Sequence, residues 1–202
     1  MIISDIKRQK KREQRYSIYL DGTYRFSLDE LELSASNLRI GGELTEVEIT
    51  DWRERSSFNK AYESSLRFLS YRQRSEREIR TYLHDKDYDD ETIRVTIERL
   101  IDLNMVNDET FARSWVADRN RMRPRSKRAL TMELRVKGID TDTIAIVLDE
   151  VDYDTEVAVL RRLIERKASR YSDTTKLMAY LSSLGYTYGL IKEAMADEPD
   201  EM

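Results

Sequence analysis

The chain of 202 residues has no cysteine, two prolines, six glycines and a single histidine. Without cysteine, disulfides and thiolate metal sites are excluded, which suits a reducing compartment. So little glycine and proline leaves few of the turns that an all-β fold needs. No apolar run approaches the ~18 residues of a membrane-spanning helix. Met1 to Arg15 carries cations but no apolar segment or small-residue cleavage site after them, so it does not read as a signal peptide. Together these absences predict a soluble, cytoplasmic protein with no membrane contact.

Catalytic constellations are equally scarce. The one histidine, His84, falls at the end of a predicted helix beside Asp85, Asp87 and Asp89. Those aspartates have the first spacings of a calcium loop. The glycine position of such a loop is Asp90, however, and its closing Glu is Thr96, so the pattern fails. The acids instead suit a solvated loop that caps the following helix near its positive end. Gly41-Gly42 lacks the lysine and hydroxyl of a phosphate loop, and no nucleophile elbow, dinucleotide fingerprint or metal set occurs. The sequence therefore predicts a non-enzyme with no catalytic residue, no metal and no cofactor.

What is abundant is charge, at 37% of residues against 40% hydrophobic, a balance that suits many amphipathic helices. The net charge of −4 hides a polarised distribution. Arg119, Arg121, Arg123, Arg125, Lys127 and Arg128 lie together with no acid among them. A second basic run extends from Lys7 to Arg15, and acids close the chain from Asp197 to Glu201. Overall acidity thus leaves room for a local polyanion site.

Tyr16, Ile18 and Leu20 alternate with polar or amphipathic residues up to Asp21-Gly22, and Tyr24, Phe26 and Leu28 resume the alternation. That pattern predicts a β-hairpin over about 15–28, because Asp-Gly tolerates the two positive φ angles of a tight turn. A short helix over Ser27 to Leu33 and a break at Gly41-Gly42 follow. Thr45 and Glu48 read as a capping box, and helical spacing continues from there.

The helical part repeats. Arginines crowd Ser75 and again Ser126, each ahead of an amphipathic helix; the helices close with Leu83, Lys86 and Asp87, then with Leu134, Lys137 and Gly138, 51 residues later. A weaker third copy has Asp173 in the serine's place and ends at Gly185. Repeats of this length mean stacked units. The expected fold is all-α: three tandem three-helix repeats in an elongated, curved body behind a small N-terminal β-hairpin. The boundaries are 1–50 for the N-terminal segment, then 51–104, 105–152 and 153–196 for the repeats, with an acidic tail at 197–202. Phe111, Tyr62 and Trp115 fit core positions. Ser75 and Ser126 read as helix caps. Lys127 and Arg128 oppose the positive end of the helix they open, and this unfavourable placement points to an external anionic partner. No acid near the second copy offsets its arginines. A stand-alone DNA-binding helical module or transcription regulator is one reading of such a chain, and a helical adaptor another.

The string Leu66 to Ile79 (LRFLSYRQRSEREI) resembles the first-unit signature of the RecX regulators of the bacterial recombinase RecA. Asn107, Asp108, Phe111, Ala112, Val116 and Arg119 resemble its second-unit opening. Glu133-Leu134 with Lys137-Gly138-Ile139 resembles the helix and stop that follow. Arg123, Asp87 and Asn104 depart from the pattern, standing where glycine is common. The resemblance implies a non-enzymatic modulator that binds RecA and the RecA–DNA filament. It would inhibit recombinase, ATPase and coprotease activity by blocking filament growth or promoting disassembly, in DNA repair, recombination and the SOS response. A monomer touching RecA acids or DNA phosphates is expected. The contact residues expected are Arg72, Arg74, Arg77, Arg119, Arg121, Arg123, Arg125, Lys127 and Arg128.

Overall fold

Apolar residues spaced three and four apart dominate the chain after Thr45, and helices form where that spacing runs. A computed structural model describes residues 1–10, 12–171 and 173–196; Lys11 of the basic run from Lys7 to Arg15 and the acidic tail at 197–202 lie outside the described residues. Strands β1 (Ile3–Gln9), β2 (Arg12–Leu20) and β3 (Thr23–Asp29) form an antiparallel sheet in that order. Helices α1 (Glu30–Ala35), α2 (Glu46–Leu69), α3 (Glu76–His84), α4 (Asp90–Asp102), α5 (Asp108–Met122) and α6 (Lys127–Val136) follow. Then come α7 (Thr141–Asp149), α8 (Tyr153–Ala168), α9 (Thr174–Ser183) and α10 (Tyr188–Met195). Two compact units result, Met1–Arg72 with Arg80–Asp102, and Gln73–Ile79 with Leu103–Met202.

In the first unit the expected hairpin is present, turning at Asp21 and Gly22 with φ of 47° and 78°. The sheet has a third strand that no alternation in the sequence marks. Strand β1 pairs along β2 from Ile3↔Leu20 to Gln9↔Arg12, yet Asp5, Lys7 and Arg8 interrupt any apolar alternation in it. A charged edge strand of this kind is invisible to a period-two search. Ile3, Ile18, Leu20, Phe26 and Leu28 form a core with Leu44 and Ile49. The first short helix also begins later than predicted. Ser27 and Leu28 stay in β3, and Asp29 caps α1 in a capping box with Glu32. Arg15, at 3% exposure, reaches Glu63 of α2 at 3.3 Å and the Ser27 carbonyl at 3.4 Å, which takes it out of the exposed basic run. Helix α2 opens with the Thr45–Glu48 box and packs on α4; Phe68 stacks on Tyr82 at 4.1 Å. Asp89 caps α4, accepting from the Thr92 amide at 2.8 Å, and that bonding holds its carboxyl below the usual range. His84 ends α3 exposed.

The second unit holds two helix trios. Phe111, Ala112, Val116, Leu130, Leu134, Ile144, Val147 and Leu148 fill the interior of α5–α7. Val157, Leu160, Leu163, Leu177, Leu181, Leu190 and Ile191 do the same for α8–α10. Gly138 and Gly185 stop α6 and α9 with φ of 88° and 93°, which an L side chain resists. Asp87 and Asn104 also have positive φ, 59° and 52°. Glycine would be favoured at both, and Asp and Asn tolerate this conformation best among the rest. Arg123 has φ of −141° and carries no such strain.

One joint is built twice in this unit. In the first instance the Ser75 hydroxyl donates to the Lys137 carbonyl at 2.7 Å, and the Glu76 amide donates to Asp108 at 2.8 Å. Lys137 pairs with Glu78 at 2.5 Å. In the second the Ser126 amide donates to the Leu184 carbonyl at 3.4 Å, and the Lys127 amide donates to Glu156 at 3.3 Å. Each time a serine cap meets the helix stop of the following trio, and an acid from that trio's first helix takes the next amide. Gly138 is needed for room as well as for φ, since a Cβ there would lie 2.5 Å from Cβ of Arg77.

Candidate functional site

The Arg123 amide donates to the Arg119 carbonyl at the end of α5 and Ser126 caps α6, so the connection between these helices is a fixed turn carrying the basic run from Arg119 to Arg128. Four of its cations take different roles from the single contact surface that the sequence suggests. Arg119 donates from Nε to Glu133 Oε2 at 2.7 Å, and the same oxygen accepts Trp115 Nε1 at 2.8 Å. Arg125 lies 3.9 Å from the other oxygen of Glu133. Arg119 covers the Trp115 ring at 4.6 Å and Lys137 lies 5.0 Å from it. Trp115 is thus a half-buried platform at the margin of the core, whereas Phe111 is fully in it. Tyr62, also expected in the core, is half-buried and stacks on Phe58.

Glu133 corrects the expectation that nothing tempers the second arginine cluster. It sits two turns into α6, too far along the chain to be read as a neighbour, and only the packing of α6 against α5 delivers it. The placement of Lys127 at a positive helix end is also partly answered internally. Glu156 accepts its amide, and Lys127 is among the charges that lower the Asp152 carboxyl, after the larger effect of hydrogen bonds from Thr155.

Arg121 makes an exposed pair with Asp118 at 3.4 Å, a geometry that contributes ~0–1 kcal/mol at most. Arg123 and Arg128 are exposed and have no ion pair among the described residues. Arg77 lies at the joint over Gly138. Arg74 belongs to the second unit with it, while Arg72 belongs to the first; both make polar contacts.

Arg123 and Arg125 also meet two cations missed in the sequence, Arg166 and Lys167 of α8. With Pro124, Leu163, Tyr180 and Leu184 they line a groove of ≈ 180 Å³. The run Arg161-Arg162 to Arg166-Lys167 was visible, but the adjacent Glu165 disguised it as an ordinary mixed helix face. A second recess of ≈ 480 Å³ lies beside Lys127, Arg128, Tyr153 and Glu156. Asp108, partly buried in the joint, has its carboxyl pushed up first by burial and then by the neighbouring Glu76, Asp140 and Glu78, against the lowering bond from the Glu76 amide. Burial likewise pushes up the Tyr186 hydroxyl, which is 4% exposed as a residue and has no hydrogen-bond partner among the described residues.

Among the described residues no group of His, Asp or Glu is placed to hold a metal ion, and no helix is long and apolar enough to cross a membrane. The class this fold defines is a helical-repeat protein with a small leading sheet and a basic surface on its second unit. Comparison with known proteins agrees. Residues 1–45 match the family described as the regulatory protein RecX N-terminal domain. Residues 61–100 match the RecX first three-helix domain and 107–148 the second. Regulatory protein RecX of Bacillus velezensis is 31% identical over 199 residues, spanning 96% of this chain and 76% of that one. That of Bacillus subtilis is also 31% identical, over 96% and 75%. A crystal structure of regulatory protein RecX superposes with a TM-score of 0.71 at 28% identity, covering 95% of this chain and 98% of that one. RecX from Lactobacillus salivarius gives a TM-score of 0.62 at 28% identity, over 69% and 94%. The chain belongs to the RecX family of regulatory proteins.

Proposed function

We propose that the chain is a non-enzymatic regulator that binds RecA and the RecA–DNA filament. It restrains recombinase, ATPase and coprotease activity by blocking filament growth or promoting disassembly. The observation that carries this reading is the match of residues 61–100 and 107–148 to the two RecX three-helix domains, the second of which bears the basic α5–α6 connection. Several modest contacts made by one chain to successive filament subunits act through effective concentration, so no single site need be strong. Arg123 and Arg128 are the cations best placed for an acidic recombinase surface or DNA phosphate. Arg119 and Arg125 hold the connection in shape through Glu133. The three-repeat division at 51–104, 105–152 and 153–196 is part of this proposal, each repeat supplying one contact module.

The test is co-sedimentation of the chain with RecA filaments on single-stranded DNA, with ATP hydrolysis followed in parallel. Binding with reduced turnover supports the proposal. No binding and no change in turnover at micromolar protein rejects it. Tight, sequence-dependent binding to bare duplex without any effect on RecA would instead identify a stand-alone DNA-binding regulator.

A further inference from the structure

We infer that the groove between the α5–α6 connection and α8 is a binding site for the phosphate backbone of single-stranded nucleic acid. The site adjoins the surface assigned above but does not need recombinase to function. Arg123 and Arg125 come from one wall, Arg166 and Lys167 from the other, and Leu163 and Leu184 lie between them. None of Arg123, Arg166 and Lys167 has an ion pair among the described residues. Arg166 is nevertheless held in place, donating across the groove to the Met122 carbonyl at 3.4 Å. Lys167 lies 5.9 Å from the centre of the Tyr180 ring, which itself stacks on Tyr171 at 5.2 Å. Arg162, one turn before Arg166, extends the row by about 6 Å along the exposed face of α8.

Of the four cations lining the groove Arg125 is partly offset by Glu133, while Arg123, Arg166 and Lys167 repel one another in the empty protein, and an anion there relieves that repulsion. Three of the four are guanidinium groups, whose planar fork suits phosphate oxygens. Phosphate is favoured over an acidic peptide by the nature of the walls. They are helix faces and helix ends whose amides and carbonyls are largely bonded within the helices, and Pro124 has no amide hydrogen to offer. A peptide entering the groove would bring its own amides with nothing to meet them. A sugar–phosphate backbone brings acceptors only at its phosphates, where the cations are, and its sugars can lie on the leucines. The groove has no array of amide side chains for reading base edges, so binding is sequence-tolerant.

The experiment is fluorescence anisotropy of a labelled oligo(dT) strand titrated with the full chain, without RecA, across a series of salt concentrations. The double variant Arg166→Gln, Lys167→Gln should bind more weakly and show a salt slope smaller by about 1.4, roughly 0.7 for each cation removed. Arg123→Gln, on the opposite wall, should lower the slope by about half of that. Arg135→Gln, an exposed cation elsewhere on α6, should change neither. Unchanged affinity and slope in the first two variants overturns the site. Displacement of the oligonucleotide by poly-glutamate as readily as by unlabelled oligo(dT) also overturns it, in favour of an acidic protein partner. RecA ATP hydrolysis, read on the same preparations, separates the two proposals. Oligonucleotide binding without any effect on RecA supports the groove and removes the filament reading. An effect on RecA without oligonucleotide binding does the reverse.

Discussion

Replacing Gly138 by alanine tests the joint between the start of α3 and the stop of α6 more sharply than any core deletion. Two costs add. A non-glycine residue at φ of 88° pays ~1–2 kcal/mol for the left-handed conformation. The added methyl would lie 2.5 Å from Cβ and 2.6 Å from Cδ of Arg77, and forced overpacking of this kind costs ~1–3 kcal/mol. The sum is ~2–5 kcal/mol, which for a chain of this size lowers Tm by ~5–15 °C. Gly22→Ala is the control. Gly22 has φ of 78°, but nothing lies within 4 Å of its Cβ position, so only the conformational ~1–2 kcal/mol applies. The assay is urea unfolding followed by fluorescence, in which Trp115 reports the second unit and Trp52 the first. The double variant Arg77→Gly, Gly138→Ala should recover part of the loss, because the obstructing Cβ is then absent. Equal costs at Gly138 and Gly22, with no recovery in the double variant, would refute the claim that Arg77 occupies the space beside Gly138.

Other predictions follow from the same geometry. Arg123→Gln and Arg128→Gln should weaken the effect on RecA filaments at unchanged Tm, whereas Arg119→Gln should lower Tm by loosening the Glu133–Trp115 arrangement. Tyr186→Phe removes a buried hydroxyl that has no partner among the described residues, so it should leave stability unchanged or raise it, by up to ~1–3 kcal/mol in denaturant melts. Asp108→Asn keeps an acceptor for the Glu76 amide and removes the raised carboxyl. The native carboxyl holds its proton to higher pH than the unfolded one, so its contribution to stability falls as pH rises through that interval. Above the interval the asparagine variant should therefore gain on the parent, and the gain should shrink as pH drops into the ordinary carboxylate range. Urea midpoints measured at both ends of that range decide it.

Local signals were the legible ones. The Asp21-Gly22 turn, the caps at Thr45 and Ser126, and the stops at Gly138 and Gly185 each lie within a few residues of what they determine. Strand β1 was missed because its partner β2 supplies the apolar side chains, and its own charges hide the pattern. The joints were missed because Ser75 and Lys137 are 62 residues apart and their hydrogen bond involves a backbone carbonyl, which no residue type advertises. The basic run was read correctly as a feature and too simply as a surface. Glu133 absorbs two of its arginines, and α8 adds two cations that belong to a different repeat.

The central claim is that this chain acts on the RecA filament through its second unit. A protection footprint of the chain on RecA assembled on single-stranded DNA tests it most directly. Protection of the α5–α6 connection around Arg123 and Arg128 is expected, together with slower ATP hydrolysis by the footprinted filament. A filament that leaves this connection as reactive as in the isolated chain would contradict it.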